Sequence, residues 1–302
     1  CGVSYILSNI LTKHTNNDVI AEFGTKAIVL LCSTGQSSNL KKLYASNCLE
    51  AAVCVLNHSA TKYFKRPNTN IASWALKAVR RLSTDIQHDQ LIASNARITC
   101  LNQLKLQHSC AHESLTRLIF IALTGIILRE RKMKIDETKN CSRSVVDALK
   151  CFTGSDMLIM TACAFVKAII QCDGRHAEAL GAGDLPQVLV DALICHKNSS
   201  SATANICSTF TALCSQCPHN ASRFVHAGVC SPLLYILGDH LQVATSVSNV
   251  PLAIALSSAI ATLLDSGPDQ RKHQIAFGDL RAPLAVSRCL RTYIEIPSVM
   301  KS

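Results

Sequence analysis

Residues 218–237 read PHNASRFVHAGVCSPLLYIL and contain a helix boundary that recurs along the chain. Gly228 can adopt the left-handed backbone conformation that ends a helix, and Pro232 fits the first turn of the next helix. Looser copies with the same order of glycine and proline occur at residues 182–186 and 277–283. The stretch therefore predicts one helix ending near residue 227 and another beginning soon after it.

Asparagine stands at the equivalent position in weaker copies, and asparagine tolerates the left-handed conformation better than most residues do. Asn47, Asn95 and Asn140 each precede a run of apolar residues. With Gly2 included, the predicted repeat turns lie near residues 2, 47, 95, 140, 183, 228 and 278, which are 43 to 50 residues apart. Two known classes of helical repeat have periods of about 40–47 residues.

A second marker lies between these turns. Each interval holds a longer predicted apolar helix, and a small residue recurs at the equivalent position of each of these helices. The six small residues are Ala27, Ala78, Gly125, Ala168, Ala212 and Ala259. Because two independent series have nearly the same period, we expect an all-α fold in which helical repeats stack on one another.

The composition agrees with a long helical protein. Hydrophobic residues make up 48% of the chain and charged residues 17%, a balance that excludes intrinsic disorder. The 12 glycines and 8 prolines among 302 residues are too few for the many turns of a β-sandwich or barrel. No apolar run approaches the ~20 residues of a membrane-spanning helix, so we expect no membrane span.

The 16 cysteines lie mostly among apolar residues, as at Cys163 and Cys207. Free cysteine behaves there as a small hydrophobic residue. A chain of this length also has enough apolar sequence to form a core without a disulfide framework. We therefore expect a reduced, intracellular and cytoplasmic protein.

Cys214, Cys217 and His219 form the nearest approach to a metal site, because zinc is commonly bound by such residues at similar spacing. The two cysteines, however, fall at the end of a predicted core helix. We expect them to pack rather than to bind metal, and we expect no metal or other cofactor.

Residues 218–228 resemble the Asn-x-x-x-x-hydrophobic-x-x-Ala-Gly signature of armadillo repeats, and residues 73–76 (Ser-Trp-Ala-Leu) resemble the third helix of such a repeat. The resemblance covers essentially the whole chain and implies a right-handed α-solenoid of about six repeats. We expect a single repeat domain, residues 1–302, that is a piece of a longer chain. HEAT repeats are the alternative, but the glycine between helices favours the armadillo class.

The resemblance also implies a concave groove lined by the third helices. Armadillo import adaptors and catenins carry an asparagine ladder there that holds an extended peptide, and import adaptors add paired tryptophans. Trp74 is the only tryptophan of this chain, and the slots for asparagine hold the six small residues instead. An import function is therefore disfavoured.

Lysine recurs in one register of the third helix, at Lys26, Lys77 and Lys167. Packing alone gives no reason for lysine at this position, and the chain as a whole carries a net charge of +10. We expect Lys26, Trp74, Lys77 and Lys167 to line a basic groove that binds an acidic or extended segment of a partner protein.

No phosphate-binding loop, Gly-x-Ser-x-Gly elbow or His-Glu-x-x-His motif occurs, so we expect no catalytic activity. Aromatic residues, at 5%, are too sparse to favour nucleic-acid binding. The prediction is a scaffold or adaptor, with cytoskeletal or ciliary assemblies as fold-level analogues. The first alternative is a regulatory segment of a larger enzyme, and a nuclear-import adaptor is the third possibility.

Overall fold

The computed structural model describes residues 2–34, 37–62, 69–83, 88–107, 112–243, 250–266 and 269–280. Within these ranges the chain forms 17 helices and no strand, which confirms the predicted all-α class. No helix in this described part is both long and apolar enough to cross a lipid bilayer. The chain divides into two compact units, residues 1–133 and residues 134–302, and the predicted single domain stays a prediction.

The first unit contains two series of helices, and within each series every helix packs against the next one. The helices are α1 (Gly2–Lys13), α2 (Asp18–Ser33), α3 (Ser37–Ala45), α4 (Cys48–Lys62), α5 (Thr69–Ser83), α6 (His88–Ala93), α7 (Ala96–Gln107) and α8 (Glu113–Glu130). In one series α2 packs against α5, and α5 packs against α8. In the other series α1 packs against α4, and α4 packs against α7. The short helices α3 and α6 connect one pair to the next.

The second unit repeats this plan. Its helices are α9 (Ile135–Cys151), α10 (Asp156–Cys172), α11 (His176–Gly181), α12 (Leu185–Cys195), α13 (Ser200–Gln216), α14 (His219–His226), α15 (Cys230–Val243), α16 (Val250–Asp265) and α17 (Gln270–Asp279). Here α13 packs between α10 and α16, while α12 contacts both α9 and α15. All six small residues of the second sequence marker lie on α2, α5, α8, α10, α13 and α16.

Left-handed residues separate several of these helices. Asn47, Asn95 and Gly228 have φ angles of 53°, 55° and 83°, the conformation predicted for them. Each is followed directly or after one residue by a new helix. Glycine and asparagine tolerate this conformation better than other residues do.

The turn predicted near Asn140 is wrong, because Asn140 lies inside α9. The left-handed residue is instead Arg131 (φ 48°), whose backbone nitrogen donates to Ile127 O at the end of α8. The connection between α8 and α9 therefore spans residues 131–134, before the predicted turn. Glu137 accepts a hydrogen bond from the Lys134 backbone nitrogen, and its charge suits the first turn of a helix, so α9 begins early.

Near Gly278 the predicted helix end lies close to the observed one, because α17 ends at Asp279, one residue later. The apolar run expected to follow it, from Leu284, falls outside the described residues.

The asparagine of the opening stretch, Asn220, has a structural role. It is fully buried, and its Nδ2 donates to Ala177 O at 2.9 Å and to Leu213 O at 3.1 Å. Its Oδ1 accepts a hydrogen bond from Arg223 Nη1 at 2.7 Å. One side chain on α14 thus forms hydrogen bonds with a backbone carbonyl of α11 and a backbone carbonyl of α13, and so joins the three helices.

Candidate partner-binding site

Three of the predicted groove residues come together in the first unit. The Nζ of Lys77 lies 4.3 Å from the centroid of the Trp74 ring, and the Nζ of Lys26 lies 5.6 Å from it. Lys26 Nζ also lies 5.9 Å from the centroid of Phe23. Ammonium groups within about 6 Å of an aromatic ring are attracted by the ring's quadrupole. We call Phe23, Lys26, Trp74 and Lys77 the Trp74 cluster.

Helix packing fixes the position of this cluster. Lys77 is one turn beyond Trp74 on α5, so both side chains lie on the same face of that helix. Lys26 reaches the same ring from the neighbouring α2. Next to Trp74 in the sequence, Ala75 and Leu76 are buried in the core. The half-buried Trp74 ring is therefore held at the boundary between core and solvent.

The start of α2 is also well defined. Asn17 Oδ1 accepts hydrogen bonds from the backbone nitrogens of Val19 at 3.1 Å and Ile20 at 3.2 Å. Such a cap satisfies backbone donors that the first turn leaves unpaired. The first turn of α2, which carries Val19, is thus capped by Asn17.

Exposed apolar side chains continue the Trp74 cluster along α2. Val19 is 65% exposed, Phe23 61% and Leu30 58%. They lie on the same side of α2 as Lys26, opposite the buried residues Ala21, Ile28 and Cys32. The surface of this helix therefore combines apolar contact area with positive charge.

Lys167, the fourth predicted residue, lies on α10 in the second unit and has other partners. Its Nζ donates to Ser208 Oγ at 2.9 Å and to Asn205 Oδ1 at 3.3 Å, both on α13. The single lysine stripe joining Lys167 to Lys26 and Lys77 stays a prediction.

Sequence reasoning missed Phe23, Asn205 and Ser208. Two of these could have been found from the repeat register. The position that holds Lys26 in α2 and Lys77 in α5 holds Thr211 in α13. Phe23, Trp74 and Ser208 each occupy the slot three residues before that position. In both units a lysine reaches this slot on the next helix: Lys26 contacts Trp74, and Lys167 contacts Ser208.

A cleft of the second unit presents different chemistry. Its volume is about 910 Å³, and Asp173, Arg175 and Lys139 contribute to its lining. Arg175 donates to Asp173 Oδ2 from Nε at 2.8 Å and from Nη2 at 2.6 Å. These bonds lower the pKa of Asp173 to about 2, so the carboxylate of Asp173 and the guanidinium of Arg175 satisfy each other.

The cysteines proposed for packing are largely enclosed. Burial raises the pKa of Cys214 to about 12, and Cys217 is also buried. Among the described residues, no three His, Cys, Asp or Glu side chains are grouped so that they could hold a metal ion.

No protein-family model matches the chain, and no curated protein matches it either. Two crystal structures of engineered proteins from the Northeast Structural Genomics Consortium are similar in fold. The first has a TM-score of 0.63 and is 14% identical in sequence, and the match covers 87% of this chain and 97% of the engineered chain. The second has a TM-score of 0.62 and is 13% identical, and the match covers 86% of this chain and 98% of the engineered chain. At such low identity the similarity shows the fold alone.

Proposed function

We propose that this chain is a non-catalytic scaffold or adaptor that binds an acidic segment of a partner protein at the Trp74 cluster. The proposal includes an armadillo-like, right-handed solenoid of about six repeats. It also includes an intracellular setting, with cytoskeletal or ciliary association by fold analogy. The observation that carries it is the convergence of Lys26 and Lys77, from neighbouring helices, on the ring of Trp74.

Two lysines at one ring make a compact positive site. Contact with the ring supports each lysine while leaving its ammonium donors available to a carboxylate. In the described part of the chain, neither Lys26 nor Lys77 forms an ion pair with an acidic side chain. An incoming carboxylate would therefore not have to displace an internal one.

Long-range charge supports the same assignment. The net charge of +10 attracts acidic partners and accelerates their association, an effect that salt screens over about 8–10 Å. A single exposed ion pair contributes only ~0.2–1 kcal/mol. Useful affinity therefore requires several acidic residues, or contact with the apolar surface beside the lysines.

The test uses a synthetic glutamate-rich peptide as the probe and the fluorescence of Trp74, the only tryptophan, as the readout. Replacing Lys26 and Lys77 together by Glu should weaken binding at low salt by about ten-fold, equivalent to ~1.4 kcal/mol. Added salt should weaken binding to the parent chain as well.

Lys41→Glu with Lys42→Glu is the matched control, since both lysines are exposed on α3 and the change in net charge is the same. This control should retain most of the binding. Equal losses in the two double variants would show that net charge alone attracts the peptide, and the proposed site would be wrong.

A further inference from the structure

The exposed side of α2 has the spacing of a helix-pairing seam. Val19, Phe23, Lys26 and Leu30 are separated by four, three and four residues. This is the alternation that places side chains in a line along one face of a helix and that coiled coils use for their contact positions. The three apolar members of the line are each more than half exposed.

The dimensions of this line match a second helix. At 1.5 Å per residue, Val19 and Phe23 are offset by about 6 Å along the axis, and Phe23 and Leu30 by about 10.5 Å. A helical partner reproduces both offsets with its own four- and seven-residue spacings. An extended strand places side chains on one face about 6.6–6.8 Å apart, so it matches the first offset but not the second.

The charge on the line selects the kind of partner. Lys26 interrupts the apolar residues, and Lys77 lies beside it on the Trp74 ring. A polar residue in such a seam favours one register by pairing with a complementary side chain. A second copy of this surface would bring two more lysines close to Lys26 and Lys77, and the repulsion of like charges disfavours self-association.

We propose that the acidic segment is an amphipathic α-helix that packs along α2 beside Trp74. Its apolar side chains contact Val19, Phe23 and Leu30, and its Asp or Glu residues face Lys26 and Lys77. This inference rests on the proposed function and makes its partner specific: a helix with apolar residues in a three- and four-residue spacing and acidic residues beside them.

The test pans the full chain against displayed random peptides about as long as the 16 residues of α2. Enriched sequences should carry apolar residues at three- and four-residue spacing together with Asp or Glu. The most enriched peptide, once synthesised, should gain helical circular dichroism on binding and change the fluorescence of Trp74. Phe23→Ser and Leu30→Ser should each weaken its binding by about ten-fold, as for buried interface anchors.

Ile194→Ser is the matched control, because Ile194 is also an apolar residue at least half exposed (50%) and lies on α12 of the second unit. Its affinity for the selected peptide should equal that of the parent chain. Far-ultraviolet circular dichroism should verify that each variant folds.

The outcomes separate this inference from the proposed function. Enriched acidic peptides that alternate every second residue, contain central prolines, or ignore Phe23→Ser and Leu30→Ser would overturn the helical partner. If those peptides still required Lys26 and Lys77, the proposed function would stand. Failure to enrich acidic peptides, or binding that ignores Lys26→Glu with Lys77→Glu, would contradict both.

Discussion

Burial distinguishes two pairs of thiols among the described cysteines. Cys100 and Cys163 are fully enclosed, and burial raises the pKa of Cys100 to about 12 and that of Cys163 to about 11. Cys151 and Cys195, at the ends of α9 and α12, are exposed. The thiolate is the reactive form, so a buried thiol is doubly protected by its lack of access and by its low ionised fraction.

We therefore predict selective alkylation of the folded protein at pH 8. Iodoacetamide should modify Cys151 and Cys195 rapidly and leave Cys100 and Cys163 unmodified, because burial both blocks access to these two thiols and raises their pKa well above that pH. Peptide mapping by mass spectrometry measures each site, and denatured protein provides the control in which all four react. Rapid labelling of Cys163 in the folded chain would contradict its assignment to the core.

The residues of the candidate site could be predicted only as far as the repeat register extends. Lys26 and Lys77 share a register, and Trp74 stands beside one of them, so all three could be predicted from the sequence. That Lys26 reaches across to the ring of Trp74 depends on how α2 and α5 pack, which spacing along the chain does not reveal. The same limit hid the contacts of Lys167 with Asn205 and Ser208.

At the scale of helices, a close contact between α11 and α14 depends on a glycine. Gly181 is buried against Asn220, and a Cβ atom added to Gly181 would lie 1.9 Å from Asn220 Oδ1. Asn220 cannot move away without losing its hydrogen bonds to Ala177 O and Leu213 O. The lack of a side chain at residue 181 therefore leaves the space that the buried amide of Asn220 occupies.

A double-mutant cycle should measure this coupling. Gly181→Ala should cost ~1–3 kcal/mol of unfolding free energy through overpacking, and Asn220→Ala should cost ~1–3 kcal/mol by removing the two buried hydrogen bonds that Asn220 Nδ2 donates to Ala177 O and Leu213 O. With Asn220→Ala already present, Gly181→Ala should cost at least ~1 kcal/mol less, because the clashing atoms are gone. Urea unfolding curves give each value.

Gly238→Ala on α15 is the control, since nothing lies within 4 Å of a Cβ atom placed there. It should be neutral or stabilising by up to ~1 kcal/mol, because alanine favours a helix more than glycine does. Additive effects of Gly181→Ala and Asn220→Ala would contradict the proposed contact.

Helix boundaries could be predicted where a single residue dictates the backbone conformation. Asn47, Asn95 and Gly228 mark real helix ends because few other residues tolerate a positive φ. Asn140 shows the limit of this reasoning, since an asparagine is also acceptable on a helix when an earlier cap is available. The cap formed by Lys134 and Glu137 outweighs the local preference of Asn140, and Arg131 adopts the left-handed conformation instead.

At the scale of the molecule, stability arises between neighbouring helices. In the first unit α2 packs against α5 and α5 against α8, and in the second unit α10 packs against α13 and α13 against α16. A protein organised in this way gains stability from neighbour contacts, and a local defect need not be felt throughout the chain. The location of a weakened contact should therefore determine which helices open.

Hydrogen exchange measured by mass spectrometry should show this locality. Asn220→Ala removes a link among α11, α13 and α14, so amides in these helices should exchange at least ~5-fold faster, as expected for a loss of ~1 kcal/mol or more. Amides of α2 and α5 should exchange as in the parent chain.

Gln103→Ala tests the first unit in the same way, because Gln103 is buried on α7 and its Nε2 donates to Leu56 O on α4 at 2.7 Å. That variant should accelerate exchange in α4 and α7 and leave α13 and α14 unchanged. Uniform acceleration along the whole chain in both variants would show instead that residues 1–302 unfold as one cooperative domain, and the local-opening prediction would be wrong.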